Sequence, residues 1–169
     1  MIQRKKIEIK VDIAYYNSPI GLIEIKGTDK GISSLTFIEG EYENVENKEI
    51  PTNLNDCITQ LDEYFNHKRK IFSVKLDLIG SPFQEDVWQA IQSIPFGETS
   101  SYIDLATKIR NKAIVRAVGN ANSHNPVLII VPCHRIIGTK GSLTGYSGGL
   151  WRKDWLLNFE RNFVQQSLF

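Results

Sequence analysis

Along the first 80 residues, apolar positions alternate with polar ones in short runs. Lys10 to Tyr16, Ile20 to Lys26 and Ile32 to Phe37 are rich in β-branched and aromatic residues. Asn17-Ser18-Pro19 and Gly27-Thr28-Asp29-Lys30-Gly31 separate them with good turn chemistry, so the pattern predicts three antiparallel strands. Glu39, Glu41, Glu43, Glu46 and Glu49 mark a solvated acidic loop. The period then lengthens. Leu54, Ile58, Leu61 and Phe65 recur at helical spacing, which predicts an amphipathic helix over about 53–67 with Cys57 on its apolar side. Val74, Leu76 and Leu78 alternate with Lys75 and Asp77 as in a half-buried strand, and Gly80 offers a boundary.

Beyond Gly80 the chain reads as mostly helical. Ser81-Pro82-Phe83-Gln84 has the form of a capping box with proline at the first helical position. Val87, Trp88, Ile91 and Ile94 follow as a core face, and Pro95-Phe96-Gly97 ends the helix. Ser100 or Ser101 caps a short helix through about Lys108. Arg110-Asn111-Lys112 turns the chain, and a second helix runs from about Ala113 to Asn122. Ile114, Ala117, Val118 and Ala121 form its buried stripe, with Arg116 and Asn120 on the other face. Two short helices joined by a tight basic turn have the pattern of a helix-turn-helix. Val127 to Val131 reads as a short buried strand stopped by Pro132. A glycine-rich loop follows, with none of its glycines spaced as a phosphate cradle. A last helix covers about Arg152 to Phe163. The expected class is α+β: residues 1–80 an antiparallel sheet with a helix, residues 81–169 a mostly helical domain with a helix-turn-helix.

Composition adds limits. At 169 residues the chain is large enough for a core without staples, and 41% hydrophobic with 23% charged residues excludes wholesale disorder. No aliphatic run is long enough to span a bilayer, and the first eight residues lack the apolar core of a signal peptide. The expected location is therefore cytoplasmic, or nuclear in a eukaryote. Cys57 and Cys133 form neither a CxxC pair nor a disulfide framework. With His67 the only further candidate ligand in the first half, a tetrahedral site cannot be filled, so no metal is expected. The net charge of +1 hides an asymmetry. Between Leu105 and Lys153 stand eight basic side chains (Lys108, Arg110, Lys112, Arg116, Arg135, Lys140, Arg152 and Lys153) and no Asp or Glu. A stretch of that kind suits a polyanion.

The candidate chemistry lies in the same stretch. Cys133 follows a proline and is followed by His134 and Arg135. A lone cysteine is more often a small buried hydrophobe. An imidazole and a guanidinium beside it point instead toward a thiol that reacts as its thiolate.

Pro132-Cys133-His134-Arg135 resembles the PCHR active-site motif of the O6-alkylguanine-DNA alkyltransferases. Other pieces resemble that family in the same order: Pro95-Phe96-Gly97-Glu98 with Tyr102, Arg116-Ala117-Val118-Gly119, Asn125-Pro126, Tyr146-Ser147-Gly148-Gly149-Leu150, and Trp155-Leu156-Leu157 leading to Glu160. Together they span about 95–160. The resemblance implies a single-turnover repair protein that flips O6-alkylguanine, with O4-alkylthymine as a further lesion, out of double-stranded DNA. The alkyl group would pass irreversibly to Cys133. His134 would take the thiol proton through a water, Glu160 would orient His134, and Tyr102 would donate to the leaving guanine. Asn125 would hold the active-site strand and turn. Tyr146 and Ser147 would line the pocket, and Arg116 would enter the duplex. Arg135 would contact DNA, and Ala113 and Gly119 would allow close approach of the helix. No cofactor is implied, and a monomer is expected. A non-catalytic lesion sensor would lack the cysteine, and a thiol hydrolase would need an oxyanion hole that is not legible here.

Overall fold

The computed structural model describes residues 9–42 and 44–168. The charged segment 1–8 and Glu43 of the acidic loop lie outside the described residues.

The three expected strands form, each displaced by a residue or two. They are β1 (Asp12–Ser18), β2 (Gly21–Thr28) and β3 (Gly31–Phe37), an antiparallel meander in that order. Asn47 covers the outer edge of β1, its side chain bonding both Tyr15 N–H and Tyr15 C=O at 2.8 Å. The acidic loop is therefore partly pinned to the sheet rather than simply solvated. Helix α1 (Thr52–Phe65) buries Leu54, Cys57, Leu61, Tyr64 and Phe65 along one stripe.

The outer edge of β3 receives two passing segments. Near one end, Ile32 N–H donates to Lys75 O and Asp77 N–H donates to Ile32 O, both at 2.8 Å. The expected strand 74–78 is thus an extended segment with one parallel bridge, Ile32 to Leu76. Gly31 makes that approach possible. Its φ is +145°, and a Cβ there would lie 2.5 Å from Lys75 O. Farther along, Leu35 N–H donates to Pro126 O and Leu35 O accepts from Leu128 N–H, both at 2.9 Å. The edge is thereby occupied by the chain's own backbone.

In the second half, α2 (Pro82–Gln92) carries the full capping box between Ser81 and Gln84. Trp88 Nε1 donates to Ala121 O at 2.9 Å and fixes α2 against a later helix. A two-residue strand β4 (Ser100–Ser101) leads into α3 (Tyr102–Ile109), capped by Ser101. The second helix of the pair does not begin at Ala113. The Asn111 side chain accepts from Ala113 N–H at 2.9 Å and closes a tighter 3-10 turn over Lys112–Ile114, after which α4 runs Val115–Ser123. The helix-turn-helix pattern is present with this extra turn.

Val127 to Val131 is not a strand. Val131 N–H returns to Val127 O at 3.0 Å, and Ile129 sits at φ 70°, which a β-branched residue seldom adopts. Asn125 holds this compact turn, its Oδ1 accepting from Val127 N–H at 2.9 Å and its Nδ2 donating to Val131 O at 2.8 Å. The run is aliphatic because core surrounds it on all sides, with Val127 to Ile130 each under 9% exposed. Cys133 N–H then donates to Val131 O at 2.8 Å around Pro132 (φ −81°, ψ 60°), an inverse γ-turn. Residues 133–135 form a 3-10 turn, and β5 (Ile136–Ile137) pairs in parallel with β4. The last helix, α5 (Leu150–Gln166), is longer at both ends than its apolar pattern suggests. A single core joins β2, β3 and α1 to α2, α3, α4, the 127–131 turn and Leu156.

The Asn125→Ala variant strands the buried Val127 N–H, a loss of about 1–3 kcal/mol in stability. Urea denaturation measures it, and a loss below about 0.5 kcal/mol would mean that aliphatic packing alone holds the turn.

Candidate functional site

Cys133, His134 and Arg135 share one 3-10 turn and are all buried. Glu160 comes from the middle of α5, where it shares a face with Leu156, and is 1% exposed. Its carboxylate takes five hydrogen bonds. His134 Nε2 at 2.8 Å, Arg135 Nη2 at 2.9 Å and the Tyr64 hydroxyl at 2.8 Å donate to Oε1. Arg135 Nε at 2.9 Å and Gly97 N–H at 3.1 Å donate to Oε2. Burial by itself would favour the neutral acid. His134 and Arg135 reverse that and hold the carboxyl well below the usual carboxylate range.

A carboxylate acceptor fixes the imidazole tautomer. Nε2 carries the proton, which leaves the Nδ1 lone pair as the proton acceptor. Nδ1 is buried and has no hydrogen-bond partner among the described residues. Burial lowers the His134 pKa, opposed by Glu160 and assisted by Arg135 and Lys153, so the ring is neutral at pH 7.

The thiol departs from expectation. Burial pushes Cys133 up to about 11, against the Asn125 side chain and the charge of Lys153, which both favour the thiolate. At rest it is a thiol, and the thiolate forms only as a base removes the proton. Lys153 is the cation that faces it. It is fully buried, donates to Thr144 O at 2.8 Å and Gly145 O at 3.3 Å, and burial lowers its pKa to about 8. Tyr146 packs edge-on against His134 with ring centroids 6.4 Å apart. Its hydroxyl is buried and without a partner among the described residues, and burial, then the nearby Cys133, keep it protonated.

The remaining expected residues fall into two groups. Tyr102 and Ser147 brace the loop above the thiol, Tyr102 donating to Thr144 O at 3.3 Å and Ser147 to Ser123 O at 3.1 Å. Gly148 completes the loop, since a Cβ there would lie 2.7 Å from the Tyr146 ring and 2.8 Å from Phe37. Arg116 and Ala113 stand exposed on the helix-turn-helix, away from the buried cluster. Gly119 faces the Tyr102 ring, where an added Cβ would make ordinary contact at 3.9 Å.

Two expectations are corrected. Arg135 does not face DNA, because Glu160 and Ile94 O occupy its guanidinium inside the core. The basic surface is also smaller. Arg135, Arg152 and Lys153 are buried, whereas Lys108, Arg110, Lys112, Arg116 and Lys140 are exposed. Four of those five lie on α3, α4 and the turn between them.

Tyr64, Arg152 and Lys153 are absent from the sequence-based site. Arg152 donates to Ile20 O, Gly148 O and Glu39, and its guanidinium lies over the Phe37 and Trp151 rings. The spacing carried a signal for two of them. Lys153, Leu156, Leu157 and Glu160 recur as one helical stripe, and Tyr64 follows Leu61 by three. Among the described residues no three His, Cys, Asp or Glu gather to hold a metal ion, and no helix is long and apolar enough to cross a membrane.

Two family models match the chain. The 6-O-methylguanine DNA methyltransferase ribonuclease-like domain matches residues 11–78, and the DNA-binding domain of the same family matches 82–162. A methylated-DNA–protein-cysteine methyltransferase from Mycolicibacterium paratuberculosis is 46% identical over 154 residues, covering 90% of this chain and 93% of the relative. The crystal structure of Mycobacterium tuberculosis O6-methylguanine methyltransferase superposes with a TM-score of 0.79 at 42% identity, covering 90% and 94% of the two chains. That of Mycobacterium tuberculosis OGT in complex with DNA does so with a TM-score of 0.77 at 41% identity, covering 88% and 93%.

The buried pair makes the fold acid-sensitive. His134 and Glu160 both have folded pKa values below their unfolded ones, so their stabilising contribution is complete above about pH 6.5 and declines as pH falls. Urea unfolding at pH 7.5, 6 and 5 should show stability decreasing in that order. A constant or rising stability would contradict a neutral His134 on an ionised Glu160.

Proposed function

Since the chain belongs to the 6-O-methylguanine DNA methyltransferase family, we propose that it repairs double-stranded DNA by taking the alkyl group of O6-alkylguanine onto its own Cys133. The observation that carries this reading is the buried Cys133 thiol on the same 3-10 turn as a neutral His134, whose Nε2 is held by the ionised Glu160 and whose Nδ1 has no partner among the described residues. Nucleophile, base and orienting carboxylate are the parts an activated cysteine requires.

The target atom is unreachable inside the base stack, so the guanine must leave the duplex. The exposed α3–α4 unit is the docking surface, with its cations on phosphates and Arg116 supporting the extruded position. Inside the pocket, Nδ1 of His134 accepts the Cys133 proton through a water. The positive charge of Lys153 steadies the thiolate in a buried site. Sulfur attacks the alkyl carbon in line as the carbon–oxygen bond breaks, and the electron pair passes to the guanine. Tyr102, turning from Thr144 O, donates the proton that lets guanine leave neutral. The Tyr146 hydroxyl offers a further donor on the pocket wall.

The product is a thioether. It has no carbonyl for water to attack and a poor leaving group, so each chain acts once. The work belongs in the compartment that holds the DNA, the cytoplasm of a prokaryote or the nucleus of a eukaryote.

Cys133→Ser should transfer nothing while still binding lesion DNA. Intact mass of the wild-type chain with excess methylated DNA should plateau at one methyl, mapped to Cys133. Multiple turnover, or transfer by Cys133→Ser near the wild-type rate, would contradict the assignment. Arg116→Ala should slow transfer from duplex DNA at least about tenfold more than Lys140→Ala, a difference of about 1.4 kcal/mol. Equal losses would reduce Arg116 to a phosphate contact.

A further inference from the structure

Glu160 accepts five hydrogen bonds, and four of their donors belong to the second half of the chain. The fifth is the Tyr64 hydroxyl at 2.8 Å, from the last turn of α1, 96 positions earlier in the sequence. Tyr64 is fully buried, and its ring packs on Phe65, Phe72, Phe96 and Phe159 at centroid distances of 5.1 to 5.9 Å.

The Arg135 fork and Gly97 N–H already fix the plane and position of the carboxylate. Two carboxylate oxygens offer about four lone-pair directions, so a fifth donor is not needed to hold Glu160 in place. It is needed only if its effect on the oxygen it meets matters. That oxygen is Oε1, which also orients His134. A neutral hydroxyl donating to Oε1 withdraws electron density and makes it a weaker partner for an imidazolium.

We propose that Tyr64 is a positioning residue for alkyl transfer: through Glu160 Oε1 it sets the proton affinity of His134 and so contributes the first half of the chain to the reaction. This rests on Cys133, His134 and Glu160 acting as described under Proposed function. Tyr64 itself touches neither thiol nor substrate. It stays protonated because burial, then the adjacent carboxylate, raise its pKa well above the ordinary tyrosine value. The titratable or charged groups bearing on His134 are Arg135 on its own turn, Tyr146 from the loop, and Lys153 and Glu160 from α5, with Cys133 its neighbour in the chain. Of the groups on Glu160, only Tyr64 can lose its donor without removing a charge, the imidazole itself or a backbone group.

The test is Tyr64→Phe, which keeps the ring and removes the hydroxyl. Single-turnover transfer to Cys133 is measured against pH for wild type and variant with the same methylated duplex. A stronger Oε1 acceptor raises the His134 pKa, so the acid limb should move up by about half to one pH unit. That is a rate loss of about three- to tenfold below pH 6. Above pH 8 the two rates should converge, and lesion-DNA affinity should agree within about twofold, a difference under about 0.4 kcal/mol. Superimposable pH profiles, even with a lowered melting temperature, would make Tyr64 merely structural and overturn the proposal. A uniform rate loss at every pH would overturn it too. Should Tyr64→Phe fail to fold, 3-fluorotyrosine in place of Tyr64 supplies a stronger donor. The limb should then move to lower pH, and an unmoved limb would overturn the proposal. A wild-type chain that transfers nothing to Cys133 would instead overturn the function on which it rests.

Discussion

The buried carboxylate of Glu160 gathers donors from three separate stretches of chain: Tyr64 from α1, Gly97 after α2, and His134 with Arg135 from the active-site turn. An ionised group this deep survives only where paired and hydrogen-bonded throughout, and removing one partner typically costs about 3–5 kcal/mol. Such a pair adds little net stability over an apolar filling of the same volume. It specifies geometry instead. With Arg135 bidentate, the carboxylate has one orientation, and with the carboxylate fixed, His134 has one tautomer.

A second constraint acts on the nucleophile. The outer edge of β3 holds the 126–128 backbone, Asn125 closes the turn that follows, and the bend at Pro132 delivers Cys133. The strained φ of Ile129 is retained because bonds on both sides of it over-determine the turn. Arg152 does for the pocket loop what β3 does for the turn, tying Gly148 to Ile20 and Glu39 while Phe37 packs beneath. Sheet and helices differ in architecture on either side of Gly80, yet the Glu160 carboxylate accepts hydrogen bonds from both.

Much of this could be read from the chain. The α2 capping box and the Ser101 cap are local chemistry, and local chemistry survives folding. Of the expected stripe Ile114, Ala117, Val118 and Ala121, only the last two are buried, because the 3-10 turn re-phases the helix. The order Cys133, His134 and Glu160 came from the resemblance to the alkyltransferase motifs. What escaped was nonlocal. Val127 to Val131 reads as a strand because β-branched residues suit both a strand and any dry turn, and only the Asn125 side chain decides between them. Arg135, Arg152 and Lys153 read as surface charge because counting charges ignores where a helix face points. In Lys153 the apolar stripe shared with Leu156 and Glu160 was the better guide. For Tyr64 the helical spacing signalled burial but not its role, because its partner lies 96 positions away.

Activation of Cys133 turns on the protonation of one ring. Nitrogen-15 chemical shifts of His134 in the resting protein at pH 7, assigned through the ring carbon protons, read it directly. The expected result is a neutral imidazole with the proton on Nε2 and a bare Nδ1. An imidazolium, or a neutral ring protonated on Nδ1, would leave Cys133 without its base and contradict the account.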